Sequence, residues 1–153
     1  MVLSSVHATE HTKRYTTGEE IANAVTHGVA ALMSIAGLAI LVGFAVAYSG
    51  SPTVITAVSV FGASMIFLYV ASTLYHAIPN PKAKRILQRL DHSMIYVLIA
   101  GSYTPFCLVT LEGVTGIALC IAVWAIALAG MALHGVLSHK SKWLNSILYL
   151  LMG

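Results

Sequence analysis

The sequence predicts an all-α fold, a polytopic bundle of transmembrane helices, on three observations. Of the 153 residues, 58% are hydrophobic and only 8% are Asp, Glu, Lys or Arg, and a soluble domain of this length could not bury so much apolar surface. The apolar residues form long uninterrupted runs, which do not alternate as the strands of a membrane β-barrel do. Because backbone groups cannot stay unpaired in lipid, such runs span a membrane only as helices.

Four of these runs are long enough to cross a membrane, which takes about 20 helical residues for a hydrocarbon core of about 30 Å. They are Ile21–Tyr48, Thr53–Ile78, Leu90–Leu111 and Val114–Leu137. A fifth run, Leu144–Gly153, reaches roughly 15 Å as a helix. We therefore expect four complete helices and part of a fifth, and we interpret the chain as the N-terminal part of a longer protein or as a truncated product.

The hydrophilic residues 1–18 are predicted to form a mobile cytoplasmic tail, followed by one transmembrane domain over residues 19–153. The tail lacks the short apolar core and the small-residue cleavage site of a signal peptide. At the start of the first helix, Thr17 is predicted to be the N-cap, with Glu20 reaching back to it in a capping box.

The positive residues predict the orientation of the helices, because Lys and Arg are retained on the cytoplasmic side. Cations occur in the tail, in the second connection, Pro79–Arg89, and in the fourth connection, whereas the first and third connections have none. This alternation places the N-terminus in the cytoplasm. It also accounts for the net charge of +3, so a nucleic-acid partner is not expected.

With this orientation, the polar residues of three helices fall at the cytoplasmic end. They are Glu20, Asn23 and His27 at the start of the first helix, Ser72 and His76 at the end of the second, and Asp91 and His92 at the start of the third. At 100° per residue, the first three lie within about 60° of one another, and the second pair within about 40°. We therefore predict one polar site, formed by three helices near the inner leaflet.

Each of these residues also has a plainer explanation. Glu20 would serve the capping box, and Asp91 would be stabilised by the dipole at any helix N-terminus or would pair with a nearby arginine. A single histidine at a helix end, such as His76, is more often interfacial or hydrogen-bonded than a metal ligand. His92 is expected to face the headgroups, and His134 and His139, which lie beside Lys140 and Lys142, are expected to be interfacial.

Four segments of the chain resemble the bacterial hemolysin III proteins, which belong with the adiponectin and progestin receptors. They are residues 19–28 (EEIANAVTHG), 71–76 (ASTLYH), 89–96 (RLDHSMIY) and 101–105 (GSYTP). The resemblance extends from about Thr17 to Gly153. It implies a seven-helix bundle in the bacterial cytoplasmic (inner) membrane, with its N-terminus inside and a zinc ion near the cytoplasmic face.

The resemblance also implies roles for residues of this sequence. His76 would be a zinc ligand, and Asp91 and Ser72 would be its catalytic neighbours, supported by the polar layer of Glu20, Asn23 and His27. The H-x3-H that the family carries in its seventh helix is absent, as are helices six and seven. Because zinc sites usually need three protein ligands and a water, or four protein ligands, we expect Zn²⁺ to bind weakly unless His27 or Asp91 substitutes.

A zinc ion at this position would suit the hydrolysis of a lipid amide or ester, as in the related ceramide hydrolases. Zinc lowers the pKa of a bound water toward about 7; Asp91 is predicted to accept the proton, and Ser72 to hydrogen-bond that carboxylate or the oxyanion. Membrane lipids are the expected partners, and an oligomer is compatible with the sequence.

Two alternatives from other classes stay open. One is a pore-forming, hemolytic protein, and the other is a non-catalytic sensor of membrane state that uses zinc structurally. A conducting path requires a polar stripe along the length of a helix, whereas the polar residues here gather at one end. The sensor predicts a site that is closed to water.

Overall fold

In the computed structural model, residues 15–137 and 142–153 are described, and they form helices joined by short connections. The helices are α1 (Thr17–Phe44), α2 (Pro52–Ala77), α3 (Pro81–Pro105), α4 (Gly113–Leu137) and α5 (Lys142–Met152). Short π-helical segments, Ala45–Ser49 and Phe106–Leu111, extend α1 and α3 without a break. The predicted all-α fold is confirmed.

Within residues 15–137 and 142–153, four helical segments are long and apolar enough to cross a membrane. They are Thr17–Ser49, Pro52–Ala77, Pro81–Leu111 and Gly113–Gly135. Each corresponds to one of the four long runs in the sequence, so the prediction of four membrane-spanning helices is confirmed. The fifth helix, α5, has 11 residues, which is about 16 Å or half of one crossing.

Consecutive helices run antiparallel because their connections have only a few residues. α1 packs on α2, α2 on α3, and α3 on α4, while α5 contacts both α3 and α4. One end of the bundle therefore gathers the start of α1, the end of α2, the start of α3 and the end of α4. We call it the histidine end, because it holds His27, His76, His92 and His134.

Small residues allow the helices to approach closely, as is usual for helices in lipid. A Cβ atom added at Gly62 of α2 would lie 2.6 Å from Cδ1 of Leu38 on α1. A Cβ atom at Gly130 of α4 would lie 2.5 Å from Cε1 of Tyr96 on α3. Tyr96 is fully buried, so this contact sets the separation of α3 and α4.

The third helix begins nine residues earlier than its apolar run, so the predicted connection Pro79–Arg89 is wrong. The Asn80 side chain caps α3 by accepting hydrogen bonds from the backbone N–H groups of Lys82 and Ala83, at 3.0 and 3.1 Å. Pro81 occupies the first turn, where its missing N–H costs nothing. Asp91 therefore lies about 15 Å along α3 and does not open the helix as predicted.

The cap of the first helix also differs from the prediction by one residue. The N-cap is Thr16, and the residue that reaches back is Glu19: its Oε2 accepts from the Thr16 backbone N–H at 2.7 Å, and its own N–H donates to Thr16 Oγ1 at 3.3 Å. The predicted Thr17–Glu20 box is wrong, and Glu20 is available to the neighbouring helices. The helix starts at Thr17, inside the predicted tail, and residues 1–14 of that tail lie outside the described part.

Candidate functional site

Glu20 joins three helices at the histidine end. Its Oε2 accepts a hydrogen bond from Nδ1 of His76 on α2 at 2.7 Å, and its Oε1 accepts one from Nζ of Lys84 on α3 at 2.6 Å. An ionised carboxylate only accepts hydrogen bonds, so Nδ1 of His76 carries a proton. In the neutral form of that ring, Nε2 is then the atom with a lone pair.

The three side chains of this contact are mostly shielded from solvent. The side chain of His76 is 6% exposed, that of Glu20 18% and that of Lys84 26%. Aromatic rings form its walls: Tyr15 and Tyr75 lie with ring centroids 5.5 and 4.6 Å from that of His76. The Lys84 ammonium lies 5.2 Å from the centroid of Tyr75. Charges in such surroundings stay stable only while they remain paired.

A second polar contact lies about one helical turn away. His27 Nδ1 on α1 and Ser72 Oγ on α2 are 2.5 Å apart, and Ser72 is buried. The rings of His27 and His76 approach with centroids 5.9 Å apart, which links the two contacts. We refer to Glu20, His27, Ser72, His76 and Lys84 as the Glu20 cluster.

Four members of the Glu20 cluster are residues that the sequence predicts for the site. The fifth is Lys84, which in the sequence counts only among the cations that predict the orientation of the helices. A signal for Lys84 existed in the sequence. At 100° per residue, it lies about 100–160° around α3 from Lys82, Arg85 and Arg89, and a lysine facing the bundle requires a carboxylate partner.

Two of the predicted site residues lie near this cluster without joining its hydrogen bonds. Asn23 is half-buried between Glu20 and His27 on α1, and its side chain makes no hydrogen bond within the described residues. Asp91 is half-buried on α3 and makes no hydrogen bond or ion pair among residues 15–137 and 142–153. The Asp91 carboxylate lies close enough to Tyr75 and Tyr149 to act on them electrostatically.

A second group of polar side chains joins α3, α4 and α5; we call it the His92 cluster. The rings of His92 and His134 lie 5.5 Å apart, and those of Tyr96 and Tyr149 4.6 Å apart. The Tyr149 hydroxyl donates to the His92 carbonyl oxygen at 2.9 Å. His92 packs against the buried ring of His134, so the prediction that His92 faces the headgroups is wrong; that His134 is interfacial stays a prediction, and His139 lies outside the described residues.

The described residues provide one possible zinc ligand, His76, but not a complete set of ligands. Over the described ranges, no three His, Cys, Asp or Glu side chains are arranged to hold a metal ion. His76 nevertheless has one feature of most metal-binding histidines, a ring nitrogen that donates to a carboxylate. The remaining ligands required by zinc are not found among these residues.

A groove of about 420 Å³ reaches the cluster from the outer surface of the bundle. Glu20, His76 and Lys84 line its inner part, and Ile21 and Val25 line its apolar side. Ile21 and Val25 are 60% and 59% exposed and lie on a membrane-spanning helix. The groove therefore has an apolar wall on the outer face of α1, beside the polar side chains of the cluster.

A family model described as "Haemolysin-III related" matches residues 15–153. The chain is 47% identical over 139 residues to "Hemolysin-3 homolog" from Bacillus subtilis (strain 168), covering 91% of this chain and 65% of the relative. It is 42% identical over 135 residues to "Hemolysin-3" from Bacillus cereus, covering 88% of this chain and 61% of the relative. The chain thus spans less than two thirds of these relatives. No solved structure matches it.

Proposed function

Because the chain belongs to the haemolysin-III related family, whose members match it along its membrane-spanning helices, we propose that it is a zinc-dependent hydrolase of lipid amides or esters. The reactive site in this proposal is the Glu20 cluster. The observation that carries it is the 2.7 Å contact between Glu20 and Nδ1 of the buried His76. That contact leaves Nε2 as the coordinating atom, in the pattern of a zinc ligand backed by a carboxylate.

His76 would hold the zinc, and Glu20 and Lys84 would keep its ring in one tautomer and orientation. When bound, zinc polarises a carbonyl oxygen and lowers the pKa of water toward about 7. The other ligands would come from the part of the protein that corresponds to the relatives' additional length, with His27 or Asp91 as substitutes within this chain.

Three further features of the chain support a hydrolytic role. The groove along Ile21 and Val25 would take an acyl chain and bring a carbonyl group to the cluster. Ser72, held by His27, would donate to the oxyanion as negative charge develops. Asp91, whose oxygens make no hydrogen bond within the described residues, would accept the proton from water.

The proposal places the N-terminus and the histidine end on the cytoplasmic side of the bacterial cytoplasmic membrane. Lys82, Lys84, Arg85 and Arg89 all lie in the first nine residues of α3. Such a concentration of cations at one end of a membrane-spanning helix favours retention on the cytoplasmic side. Cysteine labelling at Ser51 and at Asn80, on opposite ends of α2, would test this orientation in intact cells.

Zinc content and lipid hydrolysis, measured on the same preparations, test the function. In protein with the full length of its relatives, we expect His76→Ala to lose zinc and hydrolysis together. Asp91→Asn is expected to keep zinc and to lose at least 100-fold in hydrolysis, within the usual contribution of acid–base catalysis. Glu112→Gln, at the opposite end of the bundle, is the control. Unchanged zinc content and unchanged hydrolysis in His76→Ala would contradict the proposal.

The name shared by the two relatives, Hemolysin-3, supports a membrane-lytic function as the second candidate. Release of a trapped dye from liposomes separates the two candidates. A lytic protein would release dye whether or not zinc is present, and His76→Ala would release it at the wild-type rate. A hydrolase would release dye only where its lipid substrate is present in the liposome.

A further inference from the structure

The outward face of the first part of α3 carries three exposed cations. Lys82, Arg85 and Arg89 are spaced i, i+3 and i+7, so they lie within about 60° of one another around the helix, and all three are exposed. The ion pairs found in the described part of the chain all involve Glu20. The three cations, which we call the basic stripe, therefore have no carboxylate partner among the described residues.

The length of α3 places the basic stripe at the level of the lipid headgroups. Together with its π-helical extension, α3 has 31 residues, which is about 46 Å and exceeds the hydrocarbon core by roughly 15 Å. Charged residues are costly within that core. The excess length of α3 therefore projects out of the hydrocarbon core at the end that carries the cations. The stripe itself extends about 10 Å along the helix axis, comparable to the thickness of a headgroup layer.

Two exposed apolar side chains run beside the two arginines. Ile86 is 69% exposed and Leu90 is 42% exposed. Each follows an arginine by one residue, so the pair Arg85 and Arg89 and the pair Ile86 and Leu90 form parallel rows about 100° apart on the helix surface. Residues spaced i, i+4 have Cβ atoms roughly 6 Å apart, a separation that lets two guanidinium groups reach one phosphate.

We propose that this face of α3 binds one anionic glycerophospholipid. Arg85 and Arg89 hold its phosphate with bidentate hydrogen bonds, Lys82 attracts the negative headgroup, and the glycerol and the first acyl carbons contact Ile86 and Leu90. The apolar row favours a lipid over an acidic protein, because a soluble acidic surface would leave Ile86 and Leu90 without an apolar partner. Its two arginines lie about 100° and 140° around α3 from Lys84, so the site is separate from the proposed reactive site.

Native mass spectrometry of the purified protein tests this site directly. The probes are dioleoyl phosphatidylglycerol and dioleoyl phosphatidylcholine, supplied together at equal concentration. We expect the wild-type protein to retain one phosphatidylglycerol in preference to phosphatidylcholine. Each cation near a membrane surface contributes about 5-fold to anionic lipid binding, so Arg85→Gln/Arg89→Gln should lower the apparent affinity about 25-fold.

Two further variants keep the test decisive. Lys140→Gln/Lys142→Gln removes the same charge from the segment after α4 and should bind like the wild type. Arg85→Lys/Arg89→Lys keeps the charge and the fold but loses bidentate contacts, so it should fall between the wild type and the glutamine variant. Equal retention of the two lipids by the wild type, or equal loss in both glutamine variants, would overturn the proposal.

Discussion

The Glu20 cluster and the His92 cluster lie at the same end of the bundle but are held by different forces. Hydrogen bonds to a charged carboxylate join α1, α2 and α3 in the first, at 2.7 and 2.6 Å. Ring contacts and the hydrogen bond from Tyr149 to the His92 carbonyl join α3, α4 and α5 in the second. The Glu20 cluster therefore depends on the pairing of opposite charges, and the His92 cluster depends on the packing of its rings.

The difference is visible at Tyr96, at the centre of the His92 cluster. Its ring is fully buried and packs with Ala100, Val123 and Ala127. Its hydroxyl makes no hydrogen bond of good geometry within the described part of the chain, although the Tyr149 ring lies 4.6 Å away. Close packing of the buried ring therefore contributes most to holding this side chain in place.

The largest effect should come from removing the shared carboxylate. Glu20→Ala leaves His76 and Lys84 without their partner in a mostly buried place, and breaking a buried ion pair from one side costs about 3–5 kcal/mol. Unfolding of the purified protein in mixed micelles measures this loss. Glu112→Ala, an exposed carboxylate at the opposite end, is the control and should change stability by less than about 0.5 kcal/mol. Equal losses in the two variants would contradict a special role for Glu20.

Much of the Glu20 cluster could be predicted from the sequence. Helical spacing placed Glu20 and His27 on one face of α1, and Ser72 and His76 on one face of α2. Short connections made the two helices antiparallel, which brought these faces to the same end. The individual contacts could not be predicted, because they depend on the rotation of each helix and on a cap that lies one residue earlier, at Thr16.

The His92 cluster was missed for a different physical reason. The start of the apolar run shows where the helix first contacts lipid. The helix itself begins earlier, at Pro81, where the Asn80 side chain accepts hydrogen bonds from its first N–H groups. Once α3 is lengthened in this way, His92 lies well inside the bundle beside His134. Hydropathy alone carries no information about such an extension, whereas the Asn80-Pro81 pair is a helix-start signal that would have found it.

The next largest effect should come from Lys84. Lys84→Met keeps the apolar stem and removes the hydrogen bond to Glu20, and a hydrogen bond to a charged group contributes about 1.5–3 kcal/mol. Lys82→Met, two residues earlier and exposed, is the matched control and should be close to neutral. Micelle unfolding of the two variants side by side compares an inward with an outward lysine on one helix. A larger loss in Lys82→Met would reverse the assignment of the two faces.

In the His92 cluster, added volume should matter more than lost polarity. Gly130→Ala would bring a methyl group to 2.5 Å from the Tyr96 ring, and overpacking of this kind costs about 1–3 kcal/mol. Gly135→Ala, on the same helix with no atom near the added methyl group, serves as the control. A stability of Gly130→Ala equal to that of Gly135→Ala would show that α3 and α4 are not in close contact.

The smallest effect should come from Tyr149→Phe. This variant keeps the ring contact with Tyr96 and removes the hydrogen bond to the His92 carbonyl, and hydrogen bonds between helices in a membrane contribute about 0.6 kcal/mol on average. Tyr149→Ala removes the ring as well and should cost several times more. If Tyr149→Phe were as destabilising as Tyr149→Ala, the His92 cluster would depend on hydrogen bonding more than on ring packing.

Nitrogen NMR of the His76 ring tests the central claim most directly, since the claim is that Glu20 holds one tautomer. In protein labelled with ¹⁵N-histidine and assigned through His76→Gln, we predict a protonated Nδ1 and an unprotonated Nε2. Glu20→Gln should shift the ring toward the opposite tautomer. A ring protonated only at Nε2 in the wild type, or spectra of His76 that are identical with and without the Glu20 carboxylate, would contradict the account.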